Sequence, residues 1–344
     1  MLEIEKYSKY SDTWRNLLFG VALLIFVSGG IFFYTSNHQV SYAQEVDTEP
    51  KVVVTSIYDK FLSKDDVNQG AGDVTVAEPV RVPQLPELIG ELPDVNNYSA
   101  QRIIVKDVET GIVLFAKEAY QKWSIASMTK LMSALVLLEK NADMTVDAIV
   151  TNQNLIGTHM YAGDVYTRQE LWNAMLIGSS NKAAVSLVED VWLDEIAFVN
   201  RMNEKAVELG MTDTVFVEPT GLNAENVSTP SDISLLLAEA LLHTEIVETL
   251  QTSELSLYSN ERSKKHNIWN TNWLLLGWIP STVDMVAGKT GYINHSLYNF
   301  TARFITQQER ELDVVVMGAN AHEARFTEAR DLVLSISEVY SWPE

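Results

Sequence analysis

The sequence contains no cysteine, which removes a disulfide framework, a thiol nucleophile and any Cys-ligated zinc or iron–sulfur centre. It is also short of positive charge. Lysine and arginine number 25 against 46 aspartates and glutamates, and the net charge of −21 opposes nonspecific binding to nucleic acid, whose phosphates need a basic surface. The six histidines, His38, His159, His243, His266, His295 and His322, are scattered without metal-ligand spacing. No Gly-x-Ser-x-Gly elbow is present either, so neither a metal mechanism nor a Ser-His-Asp mechanism is supported. What the chain does have is 344 residues with 47% hydrophobic content, enough for a substantial core in one or two domains.

Residues 17–34 are apolar and uncharged, long enough for a tilted membrane span and long for the hydrophobic region of a signal peptide. Lys6, Lys9 and Arg15 precede the run and Glu45, Asp47 and Glu49 follow it, which places the N-terminus in the cytoplasm and the rest outside. We read residues 1–16 as a cytoplasmic N-terminus and 17–36 as a single transmembrane anchor. Signal cleavage near Ala43, at Ser41-Tyr42-Ala43, is the alternative. Residues 37–96 are acidic and carry Pro79, Pro83, Pro86 and Pro93, which interrupt helix and central strand alike. They read as an exported linker, with a short strand over 51–58 as the competing assignment.

Residues 97–344 read as the globular domain. A hairpin is expected from strands over 102–106 and 112–117 joined by Glu109-Thr110-Gly111. Helical spacing follows from Ser127 onward, then over 168–177, 182–192, 196–209 and 231–243, with Gly210 and Pro230 suited to a helix end and a helix start. The period changes to strands over 285–292, 296–305 and 312–318, and a last helix covers 323–340. This order predicts an α+β domain with a mainly antiparallel sheet flanked by a block of helices.

Ser127 heads the first of those helices, and Lys130 lies one turn on, on the same face, as Leu131, Leu135 and Leu138 continue the pattern. A neutral amine there can take the proton of an attacking serine hydroxyl. Ser179 and Asn181 stand on a break between two helices, and Lys289, Thr290 and Gly291 lie in a strand. Alone, each pair is most simply a helix cap or a solvated lysine. In this order and on these elements, the three are similar to the active-site signature of penicillin-binding proteins and serine β-lactamases. Several stretches go further: VKDVETGIVLFAKEA, ASMTKLMSALVLLE, GSSNKAAVSLVED, MNEKAVELGMTDTVFVEPTGLN, NTNWLL and GKTGYINHSLYNFTA. With them the chain from Ala100 to about Tyr340 resembles the D-alanyl-D-alanine carboxypeptidase family of low-molecular-mass penicillin-binding proteins, peptidase family S11.

That resemblance implies a β-lactamase/transpeptidase-like fold and a serine D,D-peptidase that needs no cofactor and is covalently inhibited by β-lactam antibiotics. Ser127 would attack the penultimate D-alanine carbonyl of a peptidoglycan stem peptide. Lys130 would be the base, kept partly neutral by burial and by the charge of Lys289. Ser179, beside Lys289, would relay a proton to the leaving amine, and Asn181 would orient Lys130 and the substrate amide. The N–H groups of Ser127 and Tyr292 would form the oxyanion hole. Thr290, with Lys289, would bind the terminal carboxylate, and Gly291 would leave the strand open to the extended peptide. The alternatives are a D,D-endopeptidase cleaving crosslinks, a serine β-lactamase using Glu218 to activate water, and a non-catalytic peptidoglycan-binding module. The spacing from Glu218 to Asn223 is one residue too long for the β-lactamase pattern. Lys182 stands where many family members carry an acidic residue and is expected to alter the charge balance near the two lysines. The chain ends just after the last helix of this domain, where the family often adds a β-rich domain and an amphipathic membrane helix, so anchoring would fall to residues 17–36.

Overall fold

The computed structural model describes residues 84–151, 155 and 160–343. The apolar run over 17–34 and the strand assignment over 51–58 lie outside the described residues. Among the described residues no helix is long and apolar enough to cross a membrane.

The expected hairpin is β1 (Arg102–Asp107) and β2 (Val113–Lys117). Its turn is chemically specified: the Asp107 carboxylate accepts from the N–H and hydroxyl of Thr110, and Gly111 takes φ +72°. The helical block follows as α1 (Thr129–Leu138), α2 (Arg168–Leu176), α3 (Asn181–Trp192), α4 (Glu195–Glu208), α5 (Pro230–Ala240) and α6 (Thr244–Leu250). Thr167 and Glu170 form a capping box on α2, while Thr229 caps α5 ahead of Pro230. Next come the hairpin β3 (Glu254–Ser259) and β4 (Lys264–Trp269), then β5 (Asp284–Ile293), β6 (Leu297–Ile305), β7 (Glu311–Ala319) and α7 (Ala324–Val339). The β3–β4 hairpin and α6 were not anticipated.

Five strands pair antiparallel in the order β5-β6-β7-β1-β2, so the C-terminal strands join the first hairpin through β7 and β1, and β5 is left as an edge strand. Alternation along β7 divides the core. Val315 and Met317 pack with the helical block, whereas Leu312, Val314 and Val316 pack with Phe326, Leu332 and Val333 of α7. The sheet is therefore covered on both faces. Within the stretch read as linker, Glu87–Leu88 pairs with Tyr340–Ser341, and the Ile89 and Gly90 N–H groups donate to Val339 O.

Candidate active site

Ser127 lies in a single 3-10 turn, Ala126–Met128, that leads into α1. Every residue of α1 from Thr129 to Leu137 is buried, Lys130 among them. Its Nζ stands 2.9 Å from Ser127 Oγ, 2.7 Å from Asn181 Oδ1 and 2.6 Å from Thr220 O. Three acceptors match the three N–H groups of an ammonium. After loss of one proton, two N–H groups remain for Asn181 and Thr220, and the lone pair faces the Ser127 hydroxyl. Burial pushes the Lys130 amine down to about 7, against the carboxylate of Glu218, which raises it. Because only the neutral amine accepts a proton, the rate of penicillin acylation is expected to rise with pH through about 7 and level off above it. Stopped-flow measurement with a fluorescent penicillin checks this, and a rate independent of pH across that range would exclude Lys130 as the base.

Lys289 reaches the same place from β5. Its buried Nζ lies 2.9 Å from Ser179 Oγ and 3.1 Å from Thr290 O. Burial holds its pKa well below the ordinary lysine range, with the positive charges of Lys130 and Arg325 acting in the same direction. Burial is the largest cause of the shift at both lysines, and their like charges oppose each other's protonation.

The second motif resolves an alternative. Ser180 caps α3, its Oγ accepting the Ala183 N–H, so neither Ser179 nor Asn181 is needed as a cap. Ser179 takes φ +56° and directs its hydroxyl to Lys289, while Asn181 meets Lys130. Ala126, immediately before the nucleophile, is likewise left-handed at φ +47°. Ahead of the motif, Gly178 admits the β3–β4 hairpin: a Cβ there would lie 2.2 Å from Ile268 Cγ2.

Two expectations are corrected. A Cβ on Gly291 would lie 2.6 Å from Ile125 O and 3.2 Å from Ser127 N. The space that Gly291 leaves is thus taken by the nucleophile's own turn and not by an approaching peptide. Lys182, expected to disturb the charge balance, points elsewhere. Its Nζ donates to Met160 O at 2.9 Å and faces the Tyr161 ring at 5.7 Å, and the shifts of Lys130 and Lys289 arise without it. Thr290 is buried with its Oγ1 2.6 Å from Thr271 Oγ1. The Tyr292 ring stacks on Tyr298 and its hydroxyl bonds Asn294.

Sequence reasoning missed several partners. Glu218 organises the loop beneath the nucleophile, its carboxylate accepting from the Thr220 N–H and hydroxyl, the Gly221 N–H and the Asn226 side chain. Thr220 then presents its carbonyl to Lys130. Gly221, at φ +85°, passes so close to Ala126 that a Cβ would lie 1.9 Å from its carbonyl oxygen. Arg325, at the start of α7, is buried, donates to Gly291 O at 3.3 Å and sits 2.8 Å from His322 Nε2. The motif residues carried a signal in the sequence, and Glu218 stood out there only as a possible water activator; Thr220, Gly221 and Arg325 become visible once α1, β5 and the 218–226 loop converge.

These residues open on a cavity of about 580 Å³ lined by Ser127, Ser179, Asn181, Thr290, Gly291 and Tyr292. Trp269, Trp273, Trp278, His322 and Arg325 line it as well. A smaller cavity of about 230 Å³ among α1, α2, α3 and α6 is bordered by Leu137, Met144, Trp172 and Leu187 and holds none of the signature residues.

A family model described as D-alanyl-D-alanine carboxypeptidase matches residues 90–321. The D-alanyl-D-alanine carboxypeptidase DacF of Bacillus subtilis (strain 168) is 31% identical over 254 residues, covering 71% of this chain and 64% of that protein. This chain therefore spans just under two thirds of the length of that relative. A D-alanyl-D-alanine endopeptidase of Haemophilus influenzae is 32% identical over 241 residues, covering 67% of this chain and 80% of the relative. Among solved structures, penicillin-binding protein D2 from Listeria monocytogenes in its ampicillin-bound form aligns with a TM-score of 0.60 at 27% identity, over 70% of this chain and 98% of that one. The Streptomyces K15 DD-transpeptidase shares the fold with a TM-score of 0.64 at 21% identity, over 72% of this chain and 100% of that one. With the signature residues assembled on a penicillin-binding-protein fold and the family model spanning most of the domain, the chain belongs to the D-alanyl-D-alanine carboxypeptidase family, peptidase family S11.

Proposed function

We propose that this chain is a serine-type D-Ala-D-Ala carboxypeptidase acting on peptidoglycan stem peptides through an acyl-enzyme at Ser127. The observation that carries this reading is the contact of 2.9 Å between Ser127 Oγ and a fully buried lysine amine whose pKa is lowered to about 7. Neutral Lys130 takes the hydroxyl proton as Oγ attacks the penultimate D-alanine carbonyl, and the N–H groups of Ser127 and Tyr292 hold the developing oxyanion. The C–N bond breaks, the proton that Lys130 took passes through Ser179, beside Lys289, to the leaving nitrogen, and D-alanine departs with Lys130 neutral again. Water then attacks the ester, with Lys130 again as base, and restores Ser127. The terminal carboxylate rests beside Thr290. Arg325, lowered only to about 10, stays charged at neutral pH and supplies a lasting positive charge at that end of the cavity, which Lys289 supplies less reliably. The peptide lies extended along the open edge of β5. A β-lactamase role for Glu218 finds little support, because its carboxylate is occupied by the hydrogen bonds of its own loop.

On the same reading the catalytic domain works on the extracytoplasmic side of the cell membrane, held there by residues 17–36 with 37–96 as spacer. The charge asymmetry across the apolar run supports that placement. The deciding experiment is incubation of the purified protein with pentapeptide muropeptides followed by chromatography and mass spectrometry. Release of D-alanine is expected. Unchanged muropeptides together with no covalent penicillin adduct would instead leave a non-catalytic binding module.

A further inference from the structure

Arg325 carries a buried charge that the domain itself does not balance. The residue is 4% exposed, and its guanidinium is held by neutral groups alone: Nη1 donates to Gly291 O at 3.3 Å, Nη2 lies 2.8 Å from His322 Nε2, and Nε is buried without an acceptor. The rings of Phe326 and Tyr298 lie 4.6 Å and 5.5 Å from its central carbon. Among the described residues no aspartate or glutamate contributes to its charge balance. A buried guanidinium is ordinarily compensated by a carboxylate, and here His322 stands in that place.

His322 belongs to none of the three motifs, yet its chemistry suits the position. Arginine has only donors, so the contact of 2.8 Å requires Nε2 to present its lone pair, and the proton of the neutral ring then sits on Nδ1. Burial, with the charge of Arg325 acting in the same direction, lowers the imidazole to about 4 and keeps it neutral at pH 7. Packing fixes the ring: its centroid is 4.1 Å from that of Trp273, 5.6 Å from Phe326 and, edge-on, 5.7 Å from Tyr298. A carboxylate at this position would accept from the same Nη2 but cancel the charge. A phenylalanine would fill the space and accept nothing. The neutral imidazole orients the guanidinium and leaves its charge in force, on the border of the cavity that Ser127, Thr290 and Tyr292 also line.

We infer that His322 is a positioning residue that sets the preference of the site for anionic substrates, holding Arg325 at the cavity through a neutral acceptor so that its charge stays free for the carboxylate that ends the substrate. The inference rests on the carboxypeptidase reading given above and adds the residue that keeps the anion-binding charge available. His322 acts through Arg325 and takes no part in proton transfer at Ser127.

The test is steady-state hydrolysis of two acyl-D-alanyl-D-alanine peptides that differ only in ending with a carboxylate or a carboxamide. Wild type is expected to favour the carboxylate, chiefly through KM. In His322→Phe that preference is expected to fall about tenfold, and in His322→Glu to vanish, while kcat on the carboxamide stays within about threefold of wild type. His322→Gln, which restores a neutral acceptor, should recover most of the preference. Equal losses on both substrates would mark His322 as structural and overturn the inference. So would a His322→Glu protein that still prefers the carboxylate, or a wild type indifferent to the terminal group. Acylation of Ser127 by saturating penicillin, followed alongside, separates the two readings. Adduct and product with an unaltered preference in the variants would overturn this inference alone, whereas a wild type giving neither adduct nor product would overturn both.

Discussion

Lys130→Arg is expected to slow acylation of Ser127 by penicillin about a thousandfold, close to the full contribution of a general base. The substitution keeps a cationic side chain of similar reach and removes only the capacity to accept a proton, since a guanidinium does not deprotonate in a protein. In the wild type that capacity depends on place. Lys130 is sealed in an all-buried helix, its ammonium has three acceptors, and burial brings its pKa to about 7. Lys130→Met is expected to lose as much activity for a different reason, leaving Asn181 Oδ1 and Thr220 O without their donor. Adduct formation followed by intact-protein mass spectrometry at about pH 8, above the wild-type transition, measures both. A rate within tenfold of wild type in either variant would remove Lys130 from the mechanism.

Gly221→Ala is expected to cost about 3 kcal/mol of stability or more and to abolish measurable acylation. At φ +85° the backbone already favours glycine, and the added Cβ would meet the Ala126 carbonyl oxygen at 1.9 Å and its carbon at 2.2 Å. Those are backbone atoms of the nucleophile's own turn, so relief requires moving Ser127. Gly277→Ala is the control. It has a similar φ of +68° but open space around the new methyl, so it should show only the conformational part, about 1 kcal/mol. Urea denaturation of the two variants separates the contributions. Equal midpoints for both would mean that the close approach of the 218–226 loop to the nucleophile turn carries no weight.

Much of this was legible in the sequence, and the rest was hidden for identifiable reasons. The strands over 285–292, 296–305 and 312–318 each fall within one or two residues of β5, β6 and β7, because an alternating or wholly apolar run bounded by turns admits few other readings. The start of α5 was equally visible through Pro230, whereas the caps Thr167 and Ser180 were not singled out. The β3–β4 hairpin escaped because its strands are rich in polar and charged residues, with burial confined to Leu257, Ser259, His266 and Ile268. At the site, Ser127, Lys130, Ser179, Asn181 and Lys289 were found because three spacings occur together. Thr220, Gly221, Thr271 and Arg325 were not assigned roles, since each acts through a contact made only when distant segments meet. Gly291 and Lys182 show the limit most clearly. Sequence identified both positions as notable, but the direction in which each faces is a tertiary fact.

Ala126 and Ser179 hold the left-handed backbone at φ +47° and +56° without being glycines. Such a residue carries an unfavourable conformation of the order of 1–3 kcal/mol, and the two stand beside the nucleophile and at the second motif. Part of the domain's folding free energy is therefore kept in reserve at the places where chemistry is done. For protein engineering, this means that selection for heat resistance alone works against the enzyme: glycine at position 179 would relax the chain and delete the hydroxyl that meets Lys289. Thermostable variants that stay active have to gain their stability elsewhere, on surfaces remote from both turns.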